Sequence, residues 1–439
     1  MALSGIQIYK LLPQTNCKEC GFPTCLAFAM KLAAKQVELA SCPYVSEESK
    51  AQLAESAAPP IRLITLKADG NEVKAGNEVV LFRHEKTFYN RPGIFITVSD
   101  DLAIDDIKKQ VVEAEKFAIN YVGINLAIDG YAVQYQSGDA GKYAQAIQAV
   151  REATKKPLIL VCAEAKAAAQ GLSVLGDETP LLVAADTTNW EAMADLAKEK
   201  GAALAVTADS LDALSELTEK IKGKGVEDLV LYPQADTLGK ALVLNTQIRR
   251  LAIKKNFRSL GYPLIAFPQT PAAAAQAITK YAGFVVLKEF KPELLYPLLV
   301  LRQNIYTDPQ KPIQVQPGLY EINAPKPTDP VLVTTNFSIT YFSVANEVEG
   351  SGLPAWLLVA DAEGMSVLTA WAAGKFDAER IAKAVKSFGV AEKVSRKRLV
   401  IPGHVAVLSG ELEEELPGWE IRVGPREAVD IPSFMKMAL

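Results

Sequence analysis

Leu158-Ile159-Leu160-Val161-Cys162 is an unbroken apolar run, and Leu181-Leu182-Val183-Ala184-Ala185 is another. After the second come the amphipathic Glu191–Lys200 and a third run, Ala203-Leu204-Ala205-Val206-Thr207. A strand that is apolar at every position is buried on both faces, and alternation with amphipathic helices makes such strands parallel. The unit recurs. Further runs are Ile94–Val98, Gly123–Ile128, Leu229–Tyr232, Leu264–Phe267 and Phe284–Leu287, with amphipathic stretches at Ile107–Phe117, Tyr143–Ala153 and Leu211–Lys222. Eight such units within residues 61–307 predict a closed (β/α)8 TIM-like barrel rather than an open sheet. A short hairpin of Ile61–Lys67 and Val79–Phe82 is expected to lead into it.

Barrel chemistry sits where strands end. Asp100, Asp101, Asp129, Glu164, Asp186, Asp209 and Glu289 are expected there. Acids in pairs could hold a protonated heterocycle or a metal, but Asp and Ser also cap following helices, which accounts for Asp100, Asp186 and Asp209. No histidine lies among these strands; His84 precedes them and His404 follows. Without histidine or a glycine-rich phosphate loop, the barrel reads as a scaffold or docking body.

Two linkers divide the chain. Ala57-Ala58-Pro59-Pro60 closes a module of residues 1–58, and residues 308–330 carry prolines 309, 312, 317, 325, 327 and 330. So proline-rich a stretch excludes a helix or an inner strand and reads as a stiff linker. Residues 331–439 then form an open, Rossmann-like α/β layer. Its expected strands are Val331–Thr334, Trp356–Ala360, Ser366–Ala370, Leu399–Ile401, Val405–Leu408 and Trp419–Val423, with helices at Ala378–Phe388 and Ile431–Met437. Ligands of such sheets bind at the carboxyl ends of strands. Three stretches suit a large flat ligand: the hydroxyl- and aromatic-rich Thr334–Ser343, the small-residue turn Thr369–Gly374, and Asp430–Phe434. Small residues admit a close approach, and hydroxyls bond an amide rim.

In the first module, Cys17, Cys20, Cys25 and Cys42 are spaced C-x2-C-x4-C-x16-C, with apolar Leu26, Ala29, Ala33 and Val37 at helical spacing between the last two. Zinc sites favour paired C-x2-C knuckles or histidine. Three cysteines in one loop, and a distant fourth followed by proline, instead favour a 4Fe–4S cluster beside a helix start. Inert or disulfide-linked cysteines are the alternative. Cys162 reads as a buried core thiol.

Composition limits the remaining classes. The chain has 439 residues, net charge −4 and no dense basic stripe, which argues against nucleic acid. No apolar run approaches a membrane span, and no signal peptide precedes Leu12, so a cytoplasmic protein is expected.

The motif Asn16-Cys17-x2-Cys20-Gly21-x2-Thr24-Cys25-x2-Phe28-Ala29, the eight-unit barrel, and Thr334-Thr335-Asn336-Phe337-Ser338-Ile339-Thr340-Tyr341-Phe342 together carry a resemblance. The chain resembles the large (gamma) subunit of the corrinoid iron–sulfur protein of anaerobic acetyl-CoA synthesis, over its whole length and in the same domain order. The resemblance implies a 4Fe–4S cluster on Cys17, Cys20, Cys25 and Cys42, and a corrinoid on the last domain with Thr340, Asn346, Ala370, Trp371, Ala372, Ala373 and Ser433 as candidate contacts. It implies no catalytic side chain, because the cobalt is the nucleophile. It implies a small partner subunit, itself a barrel, that closes over the corrinoid, and an electron donor such as ferredoxin. In the family's reductive acetyl-CoA (Wood–Ljungdahl) pathway, a separate methyltransferase delivers a methyl group from methyltetrahydrofolate, or from a methanopterin in archaeal relatives. The methyl group passes to the nickel site of acetyl-CoA synthase/CO dehydrogenase, and the cluster reactivates Co(II).

His404, in Pro402-Gly403-His404-Val405-Ala406, does not fit the Asp-x-His-x-x-Gly pattern whose histidine ligates cobalt. A base-off corrinoid without a histidine ligand is therefore expected. His404 is expected at a strand entrance, away from the small-residue loops. Two other functions fit the residues: an electron-transfer subunit without its own corrinoid, and a pterin-dependent methyltransferase whose barrel acids bind substrate.

Overall fold

The computed structural model describes residues 5–33, 36–50, 53, 59–121, 123–307 and 314–438. The chain divides into two compact units, Met1–Ala118 with Ala127–Tyr306, and Ile119–Leu126 with Thr307–Leu439.

In the first unit, helices Gly5–Leu11 and Cys25–Ala33 share a small core with Val45 and Leu53, built on Ile8, Leu12, Phe28 and Ala29. Next comes an antiparallel hairpin, β1 (Ile64–Ala68) and β2 (Asn71–Ala75). Its turn is Asp69-Gly70, with φ of 40° and 81°, the left-handed pair that a two-residue turn requires. That turn displaces the expected second arm. Val79–Phe82 is not a strand; the Leu81 and Phe82 amides instead donate to the Glu85 carboxylate at 3.0 and 2.9 Å.

The barrel strands are β3 (Gly93–Ser99), β6 (Gly130–Gln134), β7 (Leu158–Val161), β8 (Leu181–Ala185), β9 (Ala203–Val206), β10 (Leu229–Leu231), β11 (Leu264–Ala266) and β12 (Ala282–Leu287). They close in that order as a parallel barrel, β12 pairing back to β3. Phe95, Ala132, Ile159, Leu181, Val230 and Phe284 fill it, and Ile64, Leu66, Val73 and Ala75 of the hairpin complete the same core. The hairpin plugs the amino-terminal mouth. A Cβ on Gly93, at the start of β3, would come within 2.7 Å of Val73.

One expected strand is replaced. Gly123–Ile128 is not in the barrel; Ile119–Tyr121 (β4) and Ile124–Leu126 (β5) form an antiparallel hairpin that belongs to the second unit. The barrel strand is β6, where Tyr131, Ala132 and Val133 are fully buried. Asp129 therefore stands at a strand start, not a strand end. It accepts the Ile94 amide at 2.8 Å and pairs with the buried Arg302, which also donates to the carbonyls of Pro92 and Ala127.

The second unit is an open sheet of β13 (Gly318–Ile322), β14 (Val331–Thr335), β15 (Ala355–Ala360), β16 (Arg398–Ile401) and β17 (Glu420–Val423). Its order is β13-β15-β14-β16-β17, parallel except for the edge strand β13. Alternation along β14 sends Val331 and Val333 into one core, with Ile381, Val385 and Leu412, and Leu332 into the other, with Val348, Ile431 and Met435. The expected linker 308–330 contains β13 and the buried Val315, whose amide bonds the Asn336 carbonyl at 2.8 Å; residues 308–313 lie outside the described residues. Proline is compatible with this because β13 is an edge strand and contains none.

Two more expected strands are replaced. Ser366–Ala370 falls in the helix Val367–Ala372, and Val405–Leu408 in a tight 3-10 turn, Gly403–Leu408, that runs into the helix Ser409–Glu415. The hydroxyl-rich Thr334–Ser343 ends β14 and opens the helix Ser338–Ser351.

Candidate functional site

The cysteines occupy the first module. Cys25 and Cys42 are buried, Cys20 is half-buried and Cys17 is exposed. Cys25 opens its helix, and the loop before it is pinned in both directions: the Cys25 amide donates to Asn16 Oδ1 at 2.8 Å, and the Asn16 amide donates to Cys25 Sγ at 3.4 Å. Thr24 accepts the Ala27 amide at 3.1 Å, capping the same turn. Asn16 and Lys18, on either side of Cys17, are left-handed (φ 51° and 69°), as is Gly21 (φ 79°). Such alternation turns successive amides towards one side, the concavity that binds anions, including iron–sulfur centres. Tyr44 donates to Glu19 at 2.8 Å, and that carboxylate raises the phenol's pKa, with smaller contributions from Cys17 and Cys42. Among the described residues no three His, Cys, Asp or Glu side chains converge tightly enough to hold a single metal ion. Thiolates of a cluster bind separate irons and stand further apart than that. Four thiols, a backbone nest and a helix start fit an anionic cluster.

In the second unit, sheet order reverses between β14 and β16, and a crevice of about 310 Å³ opens at their carboxyl ends. An open sheet offers its ligand site at such a switch point. Its floor is apolar, with Leu332, Val333, Val400 and Ile401, and Thr340 and Ser343 of the helix Ser338–Ser351 line one wall. Ile339 and Leu368 on its lining are exposed, and so are Phe342, Trp371, Val407 and Val429, each within three residues of a lining position in the sequence. Thr334, lining the crevice, is 1% exposed, and its hydroxyl has no hydrogen-bond partner among the described residues. Asn336, also buried, pins the turn after β15: its Oδ1 accepts the amides of Ala362 and Gly364 at 2.9 and 3.0 Å.

The candidate contacts fall in different places. Thr340 lines the crevice. Asn346 lies nearly two turns further along the same helix, exposed. Ala370 is in the core, whereas Trp371, Ala372 and Ala373 are exposed at the end of the helix whose start, Val367 and Leu368, lines the crevice. Ser433 is exposed between the lining residues Ile431 and Phe434.

His404 is a correction. It follows the carboxyl end of β16, because Val405–Leu408 is a turn and not a strand, and it lines the crevice. Its Nε2 lies 3.7 Å from Glu427 Oε1, and Arg426 and Glu427 line the crevice with it. The sequence reading missed Arg426 and Glu427, although their position just after β17 was a usable signal.

Two of the barrel acids are engaged by neighbouring groups, and Asp100 does not cap the helix that follows it, whose cap position is Ala103. Asp100, 3% exposed, accepts the Gln136 and Ser137 amides at 2.7 and 2.8 Å and the Ser137 hydroxyl at 2.7 Å. Asp186 accepts from Thr188 and Asn189, and those bonds hold its pKa below the usual value against the opposing effect of burial. Ser210, rather than Asp209, caps the next helix. Burial pushes the Cys162 thiol up to about 11.

A family model for the CO dehydrogenase/acetyl-CoA synthase delta subunit matches residues 63–435, and one for an Fe-S cluster matches residues 12–44. The corrinoid/iron-sulfur protein large subunit of Moorella thermoacetica is 46% identical over 447 residues, covering 100% of both chains. The chain belongs to this family. The acetyl-CoA decarbonylase/synthase complex subunit gamma of Methanopyrus kandleri is 35% identical, covering 99% of this chain and 97% of that one. Both full-length relatives agree with the cysteine module in assigning the chain to the large, or gamma, type. Among solved structures, 7,8-dihydropteroate synthase from Vibrio fischeri ES114 is similar at 15% identity and a TM-score of 0.41, covering 56% of this chain and 100% of that one. No helix among the described residues is long and apolar enough to cross a membrane.

Proposed function

We propose that this chain is a methyl carrier of the reductive acetyl-CoA system, the corrinoid-bearing component of a methyltransferase. In this reading residues 331–439 are a Rossmann-like corrinoid domain and residues 1–58 a 4Fe–4S module on Cys17, Cys20, Cys25 and Cys42. Residues 61–307 are a docking barrel, joined to the last domain through 308–330. The observation that carries it is the crevice at the reversal of strand order, apolar in its floor, lined by exposed Ile339 and Leu368 and bordered by the Thr334 hydroxyl, which has no partner among the described residues. When bound, a corrinoid supplies a cobalt centre able to take and give a methyl group, and the cluster supplies single electrons.

The chain's own residues bind and shield. Thr334 and Thr340 offer hydroxyls to an amide rim. Ile339, Leu368 and Trp371 cover an apolar face, and Ala370, Ala372 and Ala373 keep the neighbouring backbone approachable, with Asn346 and Ser433 at the edges. His404, directed at Glu427, would not serve as a ligand of the cobalt. Methyl arrives from methyltetrahydrofolate or a methanopterin through a separate methyltransferase and leaves to acetyl-CoA synthase/CO dehydrogenase. A small subunit covers the ligand, a ferredoxin-type protein supplies electrons, and the assembly is cytoplasmic.

The test is metal content of the complex purified without oxygen together with its small subunit. About one cobalt and about four irons per large subunit are expected. Iron without cobalt would refute the carrier and leave an electron-transfer subunit in its place.

A further inference from the structure

Two hydrogen bonds run in opposite directions between Asn16 and Cys25. The Cys25 amide donates to Asn16 Oδ1 at 2.8 Å, and the Asn16 amide donates to Cys25 Sγ at 3.4 Å. One bond would leave Asn16 free to pivot, whereas two fix the direction of its N–H. The backbone at Asn16 is left-handed (φ 51°), a conformation that asparagine tolerates better than most residues. The helix Cys25–Ala33 already has a cap, because Thr24 Oγ1 accepts the Ala27 amide at 3.1 Å. The reciprocal pair therefore has a different result: it aims a backbone donor at a sulfur.

Among the described residues, Cys25 is the one cysteine of the four in this module whose sulfur accepts a hydrogen bond. It is 5% exposed, whereas Cys17 is open to solvent. A hydrogen bond to a buried atom acts in a low local dielectric, where it is electrostatically stronger than in water. The Cys25 Sγ stands for the thiolate that would bind iron, and negative charge on such a sulfur grows when a cluster gains an electron. A donor aimed at it stabilises the reduced state more than the oxidised one, and hydrogen bonds to the sulfurs are among the influences that set a cluster's potential.

We propose that Asn16 is a positioning residue that sets the reduction potential of the cluster. Its side chain holds its own backbone N–H on Cys25 Sγ, and the bond raises the potential. The inference rests on the cluster reading above and adds to it a residue that binds no iron. The exchange it governs is one electron between the cluster and a ferredoxin-type donor; no bond of the chain forms or breaks.

The experiment is an anaerobic redox titration of the full chain with its small subunit, following the electron-spin signal of the reduced cluster. Asn16→Gly keeps the N–H and the left-handed backbone and removes Oδ1. At a fixed solution potential its ratio of reduced to oxidised cluster should be about three- to tenfold below the parent's, a downward shift of about 30–60 mV for one electron. Thr24→Ala removes the neighbouring cap without touching Cys25 Sγ, and its potential should equal the parent's. Iron content should be the same in the parent and both variants. An unchanged potential in Asn16→Gly, an equal shift in Thr24→Ala, or loss of iron from Asn16→Gly overturns the inference while leaving the parent's cluster in place. A parent chain without iron, or without the reduced-cluster signal, refutes the cluster itself and the inference with it.

Discussion

Thr334 and Thr335 end the same strand, are 1% and 0% exposed, and bury hydroxyls without partners among the described residues. Only the first lines the crevice. A buried hydroxyl left unbonded costs about 1–3 kcal/mol relative to its hydrated state in the unfolded chain, and valine has nearly the same shape without the hydroxyl. Thr334→Val and Thr335→Val should therefore each stabilise the corrinoid-free protein by about 1–3 kcal/mol. Trp356, Trp371 and Trp419, three of the chain's four tryptophans, belong to this unit, so urea unfolding followed by tryptophan fluorescence is weighted towards it. Ligand binding should separate the two variants. If the Thr334 hydroxyl bonds the ligand, its loss costs a net 0.5–1.5 kcal/mol, roughly a two- to tenfold weaker Kd for corrinoid. Thr335→Val should bind as the parent does. Equilibrium dialysis read by visible absorption measures both. The reasoning fails if Thr334→Val binds corrinoid unchanged, or if the two variants lose affinity alike.

Cys42→Ala should remove the iron and the broad visible absorption of the cluster while leaving cobalt content intact; retained iron would exclude Cys42 as a ligand. His404→Ala should leave the Co(II) electron-spin spectrum free of nitrogen splitting, as in the parent, because Nε2 is directed at Glu427; a splitting that disappears in the variant would show a histidine ligand. Asp129→Asn keeps an acceptor for the Ile94 amide but leaves the Arg302 guanidinium, 1% exposed, without a counter-charge. Urea unfolding followed at Trp190 should show a loss of about 3–5 kcal/mol, and a loss below about 1 kcal/mol would mean the charge is not buried in effect. Cys162, raised from 9.0 to about 11, holds its proton in the folded state after the unfolded chain has released it. Its contribution is whole below pH 9 and is lost as pH rises through 11, so the unfolding midpoint should fall over that range in the parent and less in Cys162→Val.

The barrel was legible where burial on both faces wrote continuous apolar runs, as in Leu158–Val161 and Leu181–Ala185. It was misread where two segments competed for one strand. Gly123–Ile128 is apolar enough for a core strand, yet β5 within it alternates half-buried Ile124, exposed Asn125 and buried Leu126, the pattern of a hairpin with one face free. The true strand opens on Gly130 and ends on polar Gln134, which leaves only three apolar positions between them and makes it the weaker candidate by composition. The hairpin register was also readable, since Asp69-Gly70 is a turn pair, but the longer apolar run at Val79–Phe82 outweighed it.

In the second unit the sequence located the site's neighbourhood more securely than its residues. Strand cores at Val331, Trp356, Leu399 and Trp419 were correct, and from them a switch-point site follows by topology. Which side chains face it depends on what comes after each strand. There short turns and helices share the same small and hydroxyl-rich composition as strand ends, so Ser366–Ala370 and Val405–Leu408 read as strands where the structure has the helix Val367–Ala372 and the turn Gly403–Leu408. That error had a chemical consequence. Taking Val405–Leu408 for a strand put His404 at its entrance, on the far edge of the sheet, whereas a turn leaves it at the exit of β16, on the crevice wall with Arg426 and Glu427. Distance therefore does not keep His404 away from a ligand in the crevice. The imidazole is turned towards the carboxylate of Glu427, and Pro402 and Val407 stand where the pattern that presents a ligating histidine has aspartate and glycine; both favour a cobalt held without histidine.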